Sequence, residues 1–297
     1  MYLPGVGPVD YTSHSAYSDP GKWGRLLDEL PTDPAALSEV ARNVIAHYRA
    51  HAAELPEETR EDVHLRWLAD MLAADQARNA APLATERSMA ARVQGCCRDH
   101  TLFCVGALRQ HGIPARSRIG FASYFKPDWN HDHVVVEAWR GGRWVRFDPE
   151  LVPGDFPFDT LDMPTGPEAP FRTAAEVWHG HRAGRLDVDT FGVDIDVPEV
   201  RGEWFVRSYV IQEVAHRMKD ELLLWDGWGA MGPDADESAD VLADEMAALL
   251  VAADSGEAAA ERELVARYRG DPRLHPGDRI ERYSPFGDPA VEVELSR

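Results

Sequence analysis

The chain has 297 residues, 44% of them hydrophobic, enough to bury a sizeable core in one elaborated domain or two modest ones. Its 31 Lys and Arg against 51 Asp and Glu give a formal net charge of -20, a surface field that repels nucleic acid phosphates and anionic lipid, so neither polynucleotide nor membrane is an expected partner. No apolar run approaches the length that crosses a bilayer, and residues 1–22 lack the basic start and apolar stretch of a signal peptide. Three cysteines, two of them adjacent, make a poor disulfide set and read as thiols in a reducing compartment, so a cytoplasmic location is expected.

At Asp33 an Asp-Pro start followed by apolar residues at helical spacing predicts a helix near 34–53. Pro56-Glu57-Glu58 opens a second helix with Val63, Leu65, Leu68, Met71 and Leu72 on its apolar side, ending near Arg78. A third spans 95–111, stopped by Gly112 as a left-handed cap with Pro114 just beyond. Ala115 to Phe125 follows, then a loop rich in Lys, Pro, Asp and Asn. The runs His133–Trp139 and Arg143–Asp148, separated by a glycine pair, read as a β-hairpin.

From Asp148 to Pro170 the chain is a long ordered loop that keeps placing aromatic residues. Helical patterns resume over Thr173–Arg185, Trp204–Trp225, Asp236–Ala253 and Ala258–Arg269. Asp234-Ala235-Asp236-Glu237 lacks the later Gly and Glu of a calcium loop and reads as a helix N-terminus. This order of elements argues for an α+β fold: residues 1–84 as N-terminal helices packing on a core at 85–160, and a mainly helical region at 161–297, all within one compact unit.

The chemistry concentrates at Gly95-Cys96-Cys97-Arg98-Asp99. A cysteine in the first turn of a helix sits in the positive field of unpaired backbone N–H groups, which favours thiolate and can hold an oxyanion. Gly95 there would let the backbone approach a substrate closely. On a helix Cys97 shares a face with Thr101, Cys104 and Leu108, and Cys96 with His100, Phe103 and Ala107. Helical position leaves open which cysteine reacts, and a free cysteine is most often a small core residue.

The hairpin supplies the rest. A two-residue turn at Gly141-Gly142 pairs Arg140 with Arg143, Trp139 with Trp144, Val135 with Asp148 and His133 with Glu150. His133 and Asp148 then lie diagonally on one face, where the carboxylate can hold the imidazole in one tautomer. A nucleophile at a helix start with a base and its orienting carboxylate on a hairpin is what nucleophilic catalysis requires.

These residues, together with Leu108-Arg109-Gln110-His111-Gly112-Ile113-Pro114-Ala115-Arg116, Asp132-His133 with Glu137, and Trp144-Val145-Arg146-Phe147-Asp148, resemble the transglutaminase-like superfamily. The resemblance implies a papain-like α+β core, a helix carrying the cysteine and an antiparallel sheet carrying His and Asp. It selects Cys97, His133 and Asp148 as a catalytic triad, with Cys96 as the neighbour. Arg118-Ile119-Gly120-Phe121, Tyr124-Phe125 and Trp225-Asp226-Gly227-Trp228-Gly229 are similar to a bacterial group of such proteins, over about residues 35–231. Cys96 stands where that group is expected to have a polar residue, and Gln212-Glu213 where it more often has Arg-Asp.

Gln94 is a candidate oxyanion donor, and Trp225 and Trp228 are candidates for a substrate cleft, although a surface glutamine and packing aromatics are the plainer readings. Arg98 and Asp99 read as structural. His100, one turn from both cysteines, has no carboxylate orienter visible in the sequence. His131, Asp132 and His133 with Cys96 or Cys97 lack a paired metal-ligand motif, so no metal and no cofactor is expected. The expected activity is acyl transfer on a small molecule or peptide bearing an amide or thioester, by hydrolysis or by amide formation with an amine. The alternatives are a catalytically silent binding protein of the same fold and a zinc-dependent hydrolase.

Overall fold

The computed structural model describes residues 8–295; the start of the 1–22 stretch, residues 1–7, and residues 296–297 lie outside them. The chain forms two compact units, one made of Asp10–Ser117 and Val134–Pro164, the other of Arg118–His133 and the segment from Thr165 onward. The first unit holds helices α1 (Gly24–Asp28), α2 (Pro34–Val44), α3 (Leu68–Arg78) and α4 (Cys97–Gln110). Its strands are β1 (Ile45–His47), β2 (Val93–Gly95) and β5 (Arg143–Phe147), together with parts of β3 (Ala115–Lys126) and β4 (Trp129–Arg140), each of which runs through both units.

Asp33 caps α2 as expected, its carboxylate accepting the N–H groups of Ala35 and Ala36 at 3.1 Å. The helix stops at Val44, well short of residue 53, because Ile45 turns extended and pairs in parallel with Val93. The alanine-rich stretch that follows has strong helix propensity, but burying Ile45 and Ala46 in a strand pair overrides it. The second predicted helix is likewise divided, into a 3-10 stretch Glu57–His64 and α3. The buried guanidinium of Arg98 donates to the carbonyls of Leu65 at 3.4 Å and Arg66 at 2.5 Å, and so holds the break open.

The hairpin forms with the expected register. Gly141 and Gly142 take φ of 57° and 83°, and the pairing runs from Arg140↔Arg143 to Val136↔Phe147. Cross-strand partners Glu137 and Arg146 are joined at 2.8 Å, and Arg116 donates to the same carboxylate at 2.8 Å. Beyond β5 the chain has no named element up to β6, yet it folds back on the hairpin: Asp148 N–H donates to Thr160 and Met163 N–H to Arg146.

The second unit adds β6 (Phe171–Thr173), α5 (Ala174–Arg182), β7 (Phe191–Gly192), α6 (Glu203–Arg217), β8 (Asp226–Gly227), α7 (Glu237–Asp254), α8 (Ala258–Gly270), β9 (Arg279–Arg282) and β10 (Val291–Glu294). β6 pairs antiparallel with β3 and β7 parallel with β4. Helices flanking sheet strands make the chain α+β, as the order of elements implied. The region read as mainly helical also carries five short strands, of which β8–β9–β10 form a separate sheet. The strands of that separate sheet escape a pattern search because they are short, most of their residues are charged, and Ile280 is their deeply buried apolar residue. α6 ends at Arg217 rather than Trp225, since Lys219 at φ 73° reverses the chain.

The helices of this unit close around a buried charge network. Arg118 donates to Glu213 at 2.8 Å and to Asp254 at 2.6 Å, and Arg217 joins Asp254 and Glu261. Burial pushes the Glu213 carboxyl up to about 6, against the pull of Arg118. Removing one member strands the others, so Arg118→Met should cost about 3–5 kcal/mol in urea unfolding at about pH 8. The cost should shrink at about pH 5, where an unpaired Glu213 takes up a proton and sheds its buried charge.

Candidate active site

The site is built from the first turn of α4. Cys96 is its N-cap, and Asp99 Oδ2 accepts the Cys96 N–H at 2.8 Å while Oδ1 takes Arg98 at 2.8 Å. Gly95 is required by this cap: a Cβ there would stand 2.8 Å from Asp99 Oδ2 and 3.0 Å from an Ile45 methyl carbon. The absence of a side chain at Gly95 thus serves helix capping. Arg98 and Asp99 are both buried and structural, as read.

Cys97 is the first residue of the helix proper, a position whose backbone N–H has no partner within its own helix. One turn on, the Thr101 hydroxyl donates to the carbonyl of Val134 at 2.9 Å, fully buried. The face of α4 that carries Cys97 and Thr101 is therefore seated on β4 at the residue next to His133. The face carrying Cys96 and His100 turns instead toward β1 and the turn after β5, with His100 Nε2 3.2 Å from the Ile45 carbonyl.

The thiols are unequal. A hydrogen bond with Cys97 pulls the Cys96 thiol down, but burial and the Asp99 carboxylate outweigh it and leave the thiol above its ordinary value. Burial pushes Cys104, deeper in the helix, far above the range in which a thiolate forms.

His133 is buried in β4, at the end of the 118–133 segment of its unit, bonded to Val134 within the unbroken strand. Its ring meets those of Phe125 at 5.1 Å, Tyr124 at 6.0 Å and Phe171 at 6.4 Å. The β4–β5 register runs to Val136↔Phe147, so the expected pair of Val135 with Asp148 lies one step beyond the ladder, and His133 lies two residues beyond Val135 on β4. The expected pairing of His133 with Glu150 does not follow, because β5 stops at Phe147 and Pro149 ends the ladder.

Asp148 is fully buried in a tight turn: its Oδ1 accepts the Glu150 N–H at 3.0 Å. Arg42 pins that turn by donating to the carbonyls of Pro149 at 2.8 Å and Leu151 at 2.9 Å. Glu150 leaves the strand direction and meets His100, its Oε1 3.1 Å from Nδ1. The histidine that lacked a carboxylate orienter in the sequence has one in the fold, which no local pattern could reveal across fifty residues and a turn.

The tentative residues are mostly committed elsewhere. Both amide N–H bonds of Gln94 are used, on the Pro56 carbonyl at 2.7 Å and the Thr59 hydroxyl at 2.9 Å, and the side chain is buried rather than at the surface. Trp228 is buried with its indole N–H on the Leu274 carbonyl at 3.1 Å, a packing residue of the C-terminal sheet. The Trp225 carbonyl accepts the Tyr283 N–H at 2.9 Å beside the same sheet. Gln212 donates to the carbonyls of Leu224 and Asp226, and Glu213 accepts from Arg118 in the charge network, so this departure from the family pattern sits in structural roles.

His131 and Asp132 are also drawn apart. His131 Nε2 lies 3.6 Å from Asp194, and Asp132 accepts the Tyr209 hydroxyl at 2.5 Å. Among the described residues no convergent group of three metal donors includes either of them or a cysteine. Asp236, from the calcium-like stretch, caps α7 by accepting the Ser238 N–H at 2.9 Å, as a helix N-terminus should.

A helix start bearing a cysteine is thus docked on the strand that carries a histidine, and the hairpin that follows leads into an aspartate. Residues 45–149 match the family model of the transglutaminase-like superfamily. The matched stretch contains Cys97, His133 and Asp148, and is narrower than the 35–231 span over which the sequence resembled the bacterial group. No curated protein matches the chain at a significant level. One solved structure, described as "a Putative Cysteine Protease from Cytophaga hutchinsonii", aligns at 18% identity over 48% of this chain and 41% of that one, with a TM-score of 0.28, too low to carry fold or activity across. No helix among the described residues is long and apolar enough to cross a membrane.

Asp99→Ala removes the cap and strands Arg98, so it should cost about 3 kcal/mol or more in chemical denaturation. Asp99→Asn, which keeps an acceptor for the Cys96 N–H, should cost clearly less.

Proposed function

We propose that the chain is an acyl-transfer enzyme in which Cys97 is the nucleophile, His133 its base and Asp148 the group that orients His133. The observation that carries this reading is the buried Thr101–Val134 hydrogen bond, because it seats the Cys97 face of α4 beside the strand bearing His133. The family match over 45–149 supports cysteine-based catalysis in general. Cys96 is disfavoured as nucleophile by its raised pKa and its place as a cap, and Cys104 by its burial.

In the proposed reaction His133 takes the thiol proton and the sulfur attacks the carbonyl carbon of an amide or thioester. The tetrahedral oxyanion is held by backbone N–H groups at the start of α4, because the Gln94 amide is already committed. As the intermediate collapses, the bond to the amine or thiol breaks, His133 returns the proton to that leaving group, and a thioester remains on Cys97. Water resolves it as a hydrolase would, or an amine as an amide-forming transferase would. The substrate is a small molecule or peptide carrying the acyl group.

Cys97→Ala should abolish formation of the acyl-enzyme, read as loss of the mass adduct trapped from cell extract, whereas Cys96→Ala and Cys104→Ala should retain most of it. Equal loss from Cys96→Ala would overturn the choice of nucleophile. An extract that yields no adduct, with no iodoacetamide labelling of Cys97 below neutral pH, would favour a binding protein that has lost the reaction.

A further inference from the structure

His100 is buried, yet hydrogen-bond acceptors face both its ring nitrogens. Nδ1 lies 3.0 Å from the Cys96 carbonyl and 3.1 Å from Glu150 Oε1, and Nε2 lies 3.2 Å from the Ile45 carbonyl. Carbonyl oxygens only accept, and a neutral imidazole has one N–H, so the neutral ring must turn a lone pair toward a carbonyl. The imidazolium satisfies both sides and has a carboxylate at hand to balance its charge.

We propose that His100 is a positioning residue for the Cys97 chemistry: as an imidazolium it clamps the Cys96–Cys97 peptide by its carbonyl, places a positive charge one turn from the nucleophile, and ties α4 to the turn that carries Asp148. The clamp acts on the peptide whose N–H belongs to Cys97. Hydrogen bonding at a carbonyl polarises its own amide and strengthens the N–H on the other side, the donor assigned to the oxyanion. The inference rests on the reading of Cys97 as nucleophile and adds the residue that sets its electrostatics.

The charges around the ring agree. Burial opposes a charged His100, but Glu150, the Cys96 carbonyl and Asp99 outweigh it and raise the pKa above its ordinary value. From α4 the ring faces Asp99, whose two oxygens are already engaged by Arg98 and the Cys96 N–H, and the Cys96 thiol, itself protonated. From the turn after β5 it faces Glu150, one of whose oxygens lies within 4.8 Å of an Asp148 oxygen, and from α2 the Arg42 guanidinium balances those two carboxylates. Because the folded pKa is raised, the stabilisation is complete below the ordinary imidazole value of 6.5 and is lost as pH rises through the folded value.

The test uses iodoacetamide as the probe and reads the alkylation rate of Cys97, by peptide mass spectrometry, against pH. His100→Gln keeps a donor but removes the charge, and Glu150→Gln keeps the shape but removes the counter-charge. Each should move the midpoint of Cys97 alkylation upward by about one pH unit, and the double variant should move it no further. A purely structural role would lower stability and leave the midpoint in place, and that result overturns the inference. If both single variants are too unstable to assay, the wild-type profile decides: a Cys97 midpoint at the ordinary thiol value overturns the proposal, and one well below it supports it. Wild-type Cys97 that fails to alkylate in preference to Cys96 would sink the nucleophile assignment instead, a result distinct from a labelled Cys97 whose midpoint stays still.

Discussion

The hydrogen bond from the Thr101 hydroxyl to the Val134 carbonyl is the contact on which the site depends. It is buried, so breaking it leaves a polar group without water, at a cost of about 1–3 kcal/mol. Its effect is rotational as well as energetic. A helix can roll about its axis against a sheet, and a roll of one residue would exchange the Cys97 face for the Cys96 face. One donor on one face, meeting a carbonyl of β4, sets that roll.

Around this contact the first unit spends buried charge on holding loops rather than on its surface. Arg98 opens the backbone at Leu65 and Arg66, Arg42 grips the turn at Pro149 and Leu151, and Arg87 holds its loop against Asp75 at 2.6 Å. A guanidinium can satisfy several carbonyls at once from a rigid plane, which suits it to irregular backbone that cannot pair with itself. The elements that present Cys97 and Asp148 are fixed in this way from behind. The acidic character of the chain overall says little about this interior, where arginine carries the structural load.

Much of the frame was legible. The Asp33 cap, the Gly112 stop and the Gly141-Gly142 turn are local devices whose chemistry acts within a few residues, and each operates as read. Where the reading failed, a distant partner had intervened. The helix after Val44 gave way to a strand because Val93 was there to pair with it, and the second helix broke because Arg98 took its carbonyls. Gln94 and Trp228, candidates by their place in the sequence, have their side-chain donors engaged by the Pro56 and Leu274 carbonyls, contacts between segments far apart in the chain.

The three residues of the proposed triad divide along the same line. Hairpin parity relates His133 to Asp148, since a two-residue turn and a period of two leave one register, and a helix start makes either adjacent cysteine electropositive; both relations are carried in the order of the amino acids. Helical spacing leaves Cys97 and Cys96 open, the family resemblance alone selecting Cys97 from the sequence, and the meeting of His100 with Glu150 has no local signal. Which cysteine face meets β4 and where Glu150 goes depend on how α4 is rolled against β4 and on where the chain bends after Pro149. Those outcomes come from packing between segments far apart in the chain, which no run of neighbouring residues specifies.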